Sequence, residues 1–161
     1  MADIKQYLDF TEETLRQHKQ MKLYLKTLAK RKDNLEKEIS NLRAVTYDGV
    51  SVQTSNTSSP VEDEVIKRYE RMLDVVSETD KTEALVKKVD TAIANLDDIH
   101  RKVLTMYVVE GMDWISIEDK LPYSERQLRK KKDEAVKSVA IALFGATVLK
   151  EKDEDTLFDL L

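Results

Sequence analysis

The sequence predicts an all-α chain: a long helical hairpin or coiled coil followed by a C-terminal helix-turn-helix module. Three observations carry this expectation. Only three glycines and two prolines punctuate 161 residues, so the tight turns that strands require are scarce. From Asp3 to Arg43 there is no Gly or Pro, and apolar residues recur at alternating three-four spacing. Between Leu96 and Gly145 that long period gives way to short amphipathic pieces separated by capping residues.

The first helix is expected to open at Asp3, which has capping-box spacing to Gln6. Its seam runs Ile4, Tyr7, Thr11, Thr14, His18, Met21, Leu25, Leu28, Lys32, Leu35, Ile39, Leu42, a heptad pattern with polar residues at Thr11, Thr14, His18 and Lys32. At 1.5 Å per residue such a helix extends roughly 60 Å, too far for one compact core to cover its seam. A partner helix is needed, from this chain or from another copy. Residues 46–59, TYDGVSVQTSNTSS, read as a linker, with Asp48-Gly49 as a turn signal. Ser59-Pro60-Val61-Glu62 restarts the helix, Ser59 as N-cap, Pro60 at the first helical position and Glu62 closing the box. Val65, Tyr69, Met72 and Val76 continue a seam, and after Ser77–Asp80 the stripe shifts to Leu85, Val89, Ile93 and Leu96. That shift predicts a kink or break near residue 80.

From Leu96 onward Ile99, Val103, Leu104, Tyr107 and Val108 make a short helix that stops at Glu110-Gly111. Asp113 can cap Trp114–Leu121, which Pro122 ends. Ser124 caps a last helix, with Gln127 at capping-box spacing, and this helix runs to Phe144-Gly145. A short helix, a turn and a longer basic helix is the helix-turn-helix order. Leu128, Ala135 and Val139 with Trp114, Ile117 and Leu121 are expected to form its inner face; Trp114 and Tyr123 read as packing residues, not base-stacking ones. The expected DNA-binding residues are Ser124, Glu125, Arg126, Gln127, Arg129, Lys130 and Lys131. Arginine and glutamine near the start of a recognition helix suit base edges, and lysines suit phosphates.

The net charge of -4 hides a partition along the chain. Ten basic and seven acidic residues over 1–45 leave +3; six basic and eleven acidic over 61–98 leave -5; nine basic and seven acidic over 99–145 leave +2. Local charge, and not the sum, decides nucleic-acid binding. Charge and periodicity together divide the chain into 1–95 as a long-helix assembly region with its linker at 46–59, 96–145 as the DNA-binding module, and 146–161 as an acidic tail. That tail ends on Leu157, Phe158, Leu160 and Leu161.

Several function classes are disfavoured. There is no cysteine and there are only two histidines, far apart in sequence, a poor start for a metal or His-dependent site. Glu62-Asp63-Glu64 fall in the first turn of a helix, where the macrodipole favours negative charge. No phosphate loop or nucleophile elbow is present. The expectation is a protein that is not an enzyme and uses no cofactor. With Asp3 where a signal peptide carries basic charge and no long apolar run, a cytoplasmic, non-membrane protein is expected.

The residues 96–104 (LDDIHRKVL), Glu110-Gly111-Met112-Asp113-Trp114, Leu121-Pro122-Tyr123-Ser124, Ala135-Val136 and Val139-Ala140 are similar to a known group. They resemble bacteriophage regulators of the ArpU and RinA type, whose C-terminal part looks like region four of bacterial sigma factors. Thr46–Val50 followed by Ser59-Pro60-Val61 resembles the join between the two helical parts of those regulators. Glu118 and Pro122 depart from the small alanine and the glycine usual there. The resemblance implies a transcriptional regulator activating phage late genes for packaging and lysis, in the bacterial host cytoplasm. Its expected partners are double-stranded DNA, a second copy of the chain and host RNA polymerase. A small-terminase-like DNA packaging protein is the alternative, since it too joins DNA-binding helices to an oligomerising coil. A purely structural coiled-coil adaptor would leave the basic capped helix unused.

Overall fold

The computed structural model describes residues 3–48, 59–145 and 147–149. The regular elements among these residues are all helices, with no strand: α1 (Ile4–Arg16), α2 (His18–Asp48), α3 (Pro60–Ala94), α4 (Asp98–Leu104), α5 (Trp114–Lys120) and α6 (Glu125–Phe144). A π-helical turn over Thr105–Val109 continues α4. None of the described helices is long and apolar enough to cross a membrane.

The starts of α1 and α3 obey their local chemistry. The Asp3 carboxylate accepts from the Lys5 backbone N–H at 3.4 Å, so Asp3 caps α1 without the expected Gln6 partner. At α3 the reciprocal box is complete: Glu62 N–H donates to Ser59 Oγ at 3.2 Å and Ser59 N–H to Glu62 Oε2 at 3.3 Å.

The first long helix is interrupted where the sequence shows no Gly or Pro. Gln17, with ψ near -3°, separates α1 from α2, although its N–H still bonds to the Glu13 carbonyl and its own carbonyl accepts from Met21 N–H. The hydrogen-bond ladder therefore continues through the interruption. Thr11 and Thr14 lie just before it and bond back to the Tyr7 and Phe10 carbonyls at 2.7 and 2.8 Å. Such i−4 bonding by threonine draws a carbonyl out of line and bends helices. Conversely, a kink or break is expected near residue 80, and the helix does not break there, since α3 runs from Pro60 to Ala94. The stripe shift there marks a change of packing environment. α2 also runs on to Asp48, into the segment expected as linker, and the remainder of that segment lies outside the described residues, as does the tail from Lys150 on.

The contacts group the chain into two compact units, Met1–Met21 with Leu85–Leu161, and Lys22–Ala84. The sequence placed a boundary near residue 95; contacts instead join α1 and the end of α3 to the C-terminal helices. In this first unit one core cluster gathers Leu15, Val89, Ala92, Leu96, Leu104, Val108, Ala135, Val136 and Val139. A second gathers Val103, Trp114, Ile117 and Leu128. Tyr107 packs on both. Ala135 and Ala140, both fully buried on α6, allow close helix approach. α1 meets the end of α6 through Tyr7 and Phe144, ring centroids 5.0 Å apart. Arg101 secures the α3–α4 turn by donating to the Ala94 and Leu96 carbonyls at 3.0 and 2.8 Å, satisfying acceptors that a helix end leaves open. His18, also buried, places Nε2 2.7 Å from Asp90 Oδ1.

In the second unit Leu28 and Ile39 are buried, and Leu25, Leu35 and Leu42 of α2 and Val65, Tyr69, Met72 and Val76 of α3 are half-buried. Only Lys32 of the seam stays exposed here. The pairs Tyr24–Glu78 and Glu38–Arg68 join early residues of α2 to late residues of α3, and later residues of α2 to earlier ones of α3. Replacing fully buried Leu28 with Ala should lower stability by about 2–5 kcal/mol. Circular-dichroism melts should show the loss, with a smaller one for half-buried Leu35→Ala.

Candidate nucleic-acid interface

The candidate interface is built on α5, the turn over 121–124 and α6. Glu110 ends the π-helical turn by donating its N–H to the Thr105 carbonyl at 2.9 Å. Gly111 comes next at φ 69°, a left-handed conformation that glycine adopts without strain. Met112 N–H then reaches back to the Met106 carbonyl at 2.9 Å, one residue further than at the end of an ordinary α-helix. Asp113 caps α5 by accepting from Ser116 N–H at 2.7 Å, and this bonding holds its carboxyl below the usual carboxylate range. Leu121 is extended (φ -121°, ψ 142°) and Tyr123 N–H donates to the Leu121 carbonyl at 2.8 Å, which tightens the turn. Pro122 and Glu118, the two departures from the usual pattern, are both exposed. Ser124 then opens α6 with a complete capping box: Gln127 N–H donates to Ser124 Oγ at 3.4 Å, and Gln127 Oε1 accepts from Ser124 N–H at 3.0 Å.

Trp114 is the anchor, as its place in the pattern predicts. It is 8% exposed and stacks on Tyr107 with centroids 3.9 Å apart and planes 18° from parallel. Its Nε1–H has no hydrogen-bond partner among the described residues. The ring is thus held by its faces and not by its polar edge. Ile117 and Leu128 are fully buried beside it, and Leu121 and Tyr123 half-buried.

The seven residues expected to meet DNA do not have equal freedom. Arg126, Gln127, Arg129 and Lys130 are exposed, on the side of α6 away from fully buried Leu128, Ala135 and Val139. The Arg126 side chain makes no hydrogen bond or ion pair among the described residues. Gln127 has its carbonyl committed to the cap, so pairing with adenine, which needs both its donor and its acceptor, would open the box. Ser124 is occupied by the same box. Glu125 Oε1 accepts from Arg129 Nε and Nη2. Lys131 is half-buried, with Nζ 4.9 Å from the Tyr123 ring centroid.

Lys132, part of the same basic run, points inward. Only 15% of its side chain is exposed, and Nζ lies 2.8 Å from Asp133 and 3.5 Å from Glu12 of α1, over the Tyr107 ring. Burial opposes its charge, but the two carboxylates outweigh that and hold the ammonium above its ordinary range. The signal is legible in the spacing, since Lys132 falls four residues after Leu128 and three before Ala135, on the buried row. Glu12 and Arg16, which the heptad pattern assigned to an assembly helix, border this module: Arg16 lies over the Tyr107 ring at 5.7 Å. Further along α6, exposed Asp133 and Glu134 close the basic strip. Glu134 accepts from, or pairs with, His100 Nε2 at 2.9 Å, and that bond depresses its carboxyl. Positive surface on α6 is therefore concentrated in its first two turns.

No group of three or more metal-ligating side chains occurs among the described residues. No protein-family model, curated protein or solved structure matches this chain.

Replacing Trp114 with Ala should cost about 3–5 kcal/mol, with hydrogen exchange accelerated in α5 and α6 by mass spectrometry. Asp113, depressed in the folded state, contributes stability that is present above its unfolded value and lost as pH falls through the folded one. Melting temperatures of wild type and Asp113→Ala should differ at neutral pH and converge in acid.

Proposed function

We propose that the chain is a double-stranded-DNA-binding transcriptional regulator, with α5, the turn and α6 acting as a helix-turn-helix and α2 with α3 acting as a helical hairpin that assembles with a second copy. The observation that carries this reading is the two-faced start of α6. Arg126, Arg129 and Lys130 stand exposed in its first two turns, while Leu128 between them is fully buried against Trp114 and Ile117. A solvated charge run would not need a capping box and an aromatic anchor to aim it. An N-terminal helix turn projecting arginines from a rigid support is what a major-groove reader needs, and nearby lysines add salt-dependent attraction to phosphates.

The resemblance to ArpU- and RinA-type regulators supports an activity at phage late promoters, beside host RNA polymerase in the bacterial cytoplasm. The protein acts by binding and does no chemistry of its own, with no cofactor. Pairing of copies would let two modules engage two half-sites, turning modest single-module affinity into tight binding through effective concentration.

Alanine at Arg126 or Lys130 should weaken duplex binding and lower the slope of log affinity against log salt by about one for each phosphate contact removed. Fluorescence anisotropy across a salt series measures this. With purified host polymerase, wild type should raise run-off transcript from its own promoter. Binding to a packaging-site fragment and to the large terminase subunit, without any change in transcript, would favour the small-terminase reading instead.

A further inference from the structure

We propose that Arg129 is a guanine-reading side chain, and that Glu125 and Trp114 are positioning residues that set its guanidinium for that base. This rests on the DNA-binding reading above. The guanidinium is held from two directions. Glu125 Oε1 accepts from Nε at 2.8 Å and from Nη2 at 2.6 Å, and the guanidinium carbon lies 5.2 Å from the Trp114 ring centroid. The indole is itself fixed by its stack on Tyr107. Yet Arg129 is not buried, because 57% of its side chain remains exposed.

The clamp leaves a specific part of the group available. Of five N–H donors, Glu125 engages the one on Nε and one on Nη2. One hydrogen of Nη1 and the second of Nη2 remain side by side at the outer edge of the fork, while the other Nη1 hydrogen points back along the side chain. That edge matches two adjacent acceptors, which guanine offers in the major groove as O6 and N7; adenine presents an acceptor beside a donor and thymine a single acceptor. A free arginine would lose rotamer freedom on docking, whereas here the side chain is already restricted. Arg126 has no such clamp, which suits it to phosphate.

Glu125 thereby acts in two opposing ways. By orienting Arg129 it raises discrimination at one base pair, and by adding a negative charge beside the phosphate-facing surface it lowers affinity for every duplex. A residue needed only for folding would produce neither opposition.

The test uses the full chain. Wild type, E125A, E125Q and R129A are titrated by anisotropy against a duplex selected from a random pool, the same duplex with one G·C pair replaced by A·T, and an unrelated duplex. Wild type should select a site with such a G·C pair and bind the replaced version roughly 5- to 150-fold more weakly. In R129A that ratio should fall to near one. In E125A it should shrink several-fold while affinity for the unrelated duplex rises. E125Q, still an acceptor but uncharged, should retain more of the ratio than E125A. Circular dichroism monitors folding, and if E125A melts early, E125Q and W114F decide, the latter keeping a ring under the guanidinium. The inference is overturned if no selected base pair depends on Arg129, or if the Glu125 variants weaken all duplexes equally at an unchanged ratio. A wild-type chain that binds no duplex even at low salt would instead overturn the DNA-binding reading itself, before any variant is compared.

Discussion

The face-to-face stack of Trp114 on Tyr107 is the contact on which the C-terminal part of the molecule depends. Tyr107 belongs to neither core cluster alone but packs against both, and its other neighbours are the cations Arg16 and Lys132. Trp114 in turn lies under Arg129. One aromatic pair thus links α1, the π-helical turn, α5 and α6. The π turn has a part in this: one additional residue per turn rotates the downstream chain relative to an α-helix, and Tyr107 sits within it while buried Val108 faces the first cluster. Burial of two rings, and not a hydrogen bond from the indole, supplies the adhesion.

Around that stack, charge is sorted by depth. The run Arg129–Lys132 looks uniform as sequence, but its members point in different directions around the helix and meet different surroundings: Arg129 on the indole, Lys130 in solvent, Lys131 over Tyr123, Lys132 between carboxylates. A half-buried ammonium is tolerated because Glu12 and Asp133 offset its desolvation. On the proposed reading the exposed cations are those left for DNA, and the half-buried Lys132 holds α1 to α6. A net charge of -4 is compatible with this, since the acidic excess lies mostly in α3 and at the C-terminus.

The long helices obey a different constraint. A seam of period three and four must be covered along its whole length, yet a single core is shorter than the helix. The chain meets this by using two environments: Leu15 and Val89 are fully buried in one unit, Leu28 in the other. Where the environment changes, the spacing of buried residues changes too. The helix axis need not break for that to happen, and in α3 it does not.

The helical class, the seam and the caps were legible in the amino-acid order alone. Buried Thr11, Thr14, Leu28 and Ile39, the boxes at Ser59 and Ser124, the cap at Asp113 and the core role of Trp114 arise from periodicity and from side-chain chemistry within a few residues, because these are local rules. Other features came only from the way the helices pack. The interruption at Gln17 lies within a strong helical pattern, and the grouping of α1 with the C-terminal helices joins residues more than a hundred positions apart, as Glu12 and Lys132 do. The same holds for the candidate site: spacing identified its helix and its outward arginines, while the clamp of Arg129 between Glu125 and the indole depends on where α5 lies against α6. Partner choice across the fold is set by packing geometry, which no one-dimensional pattern encodes.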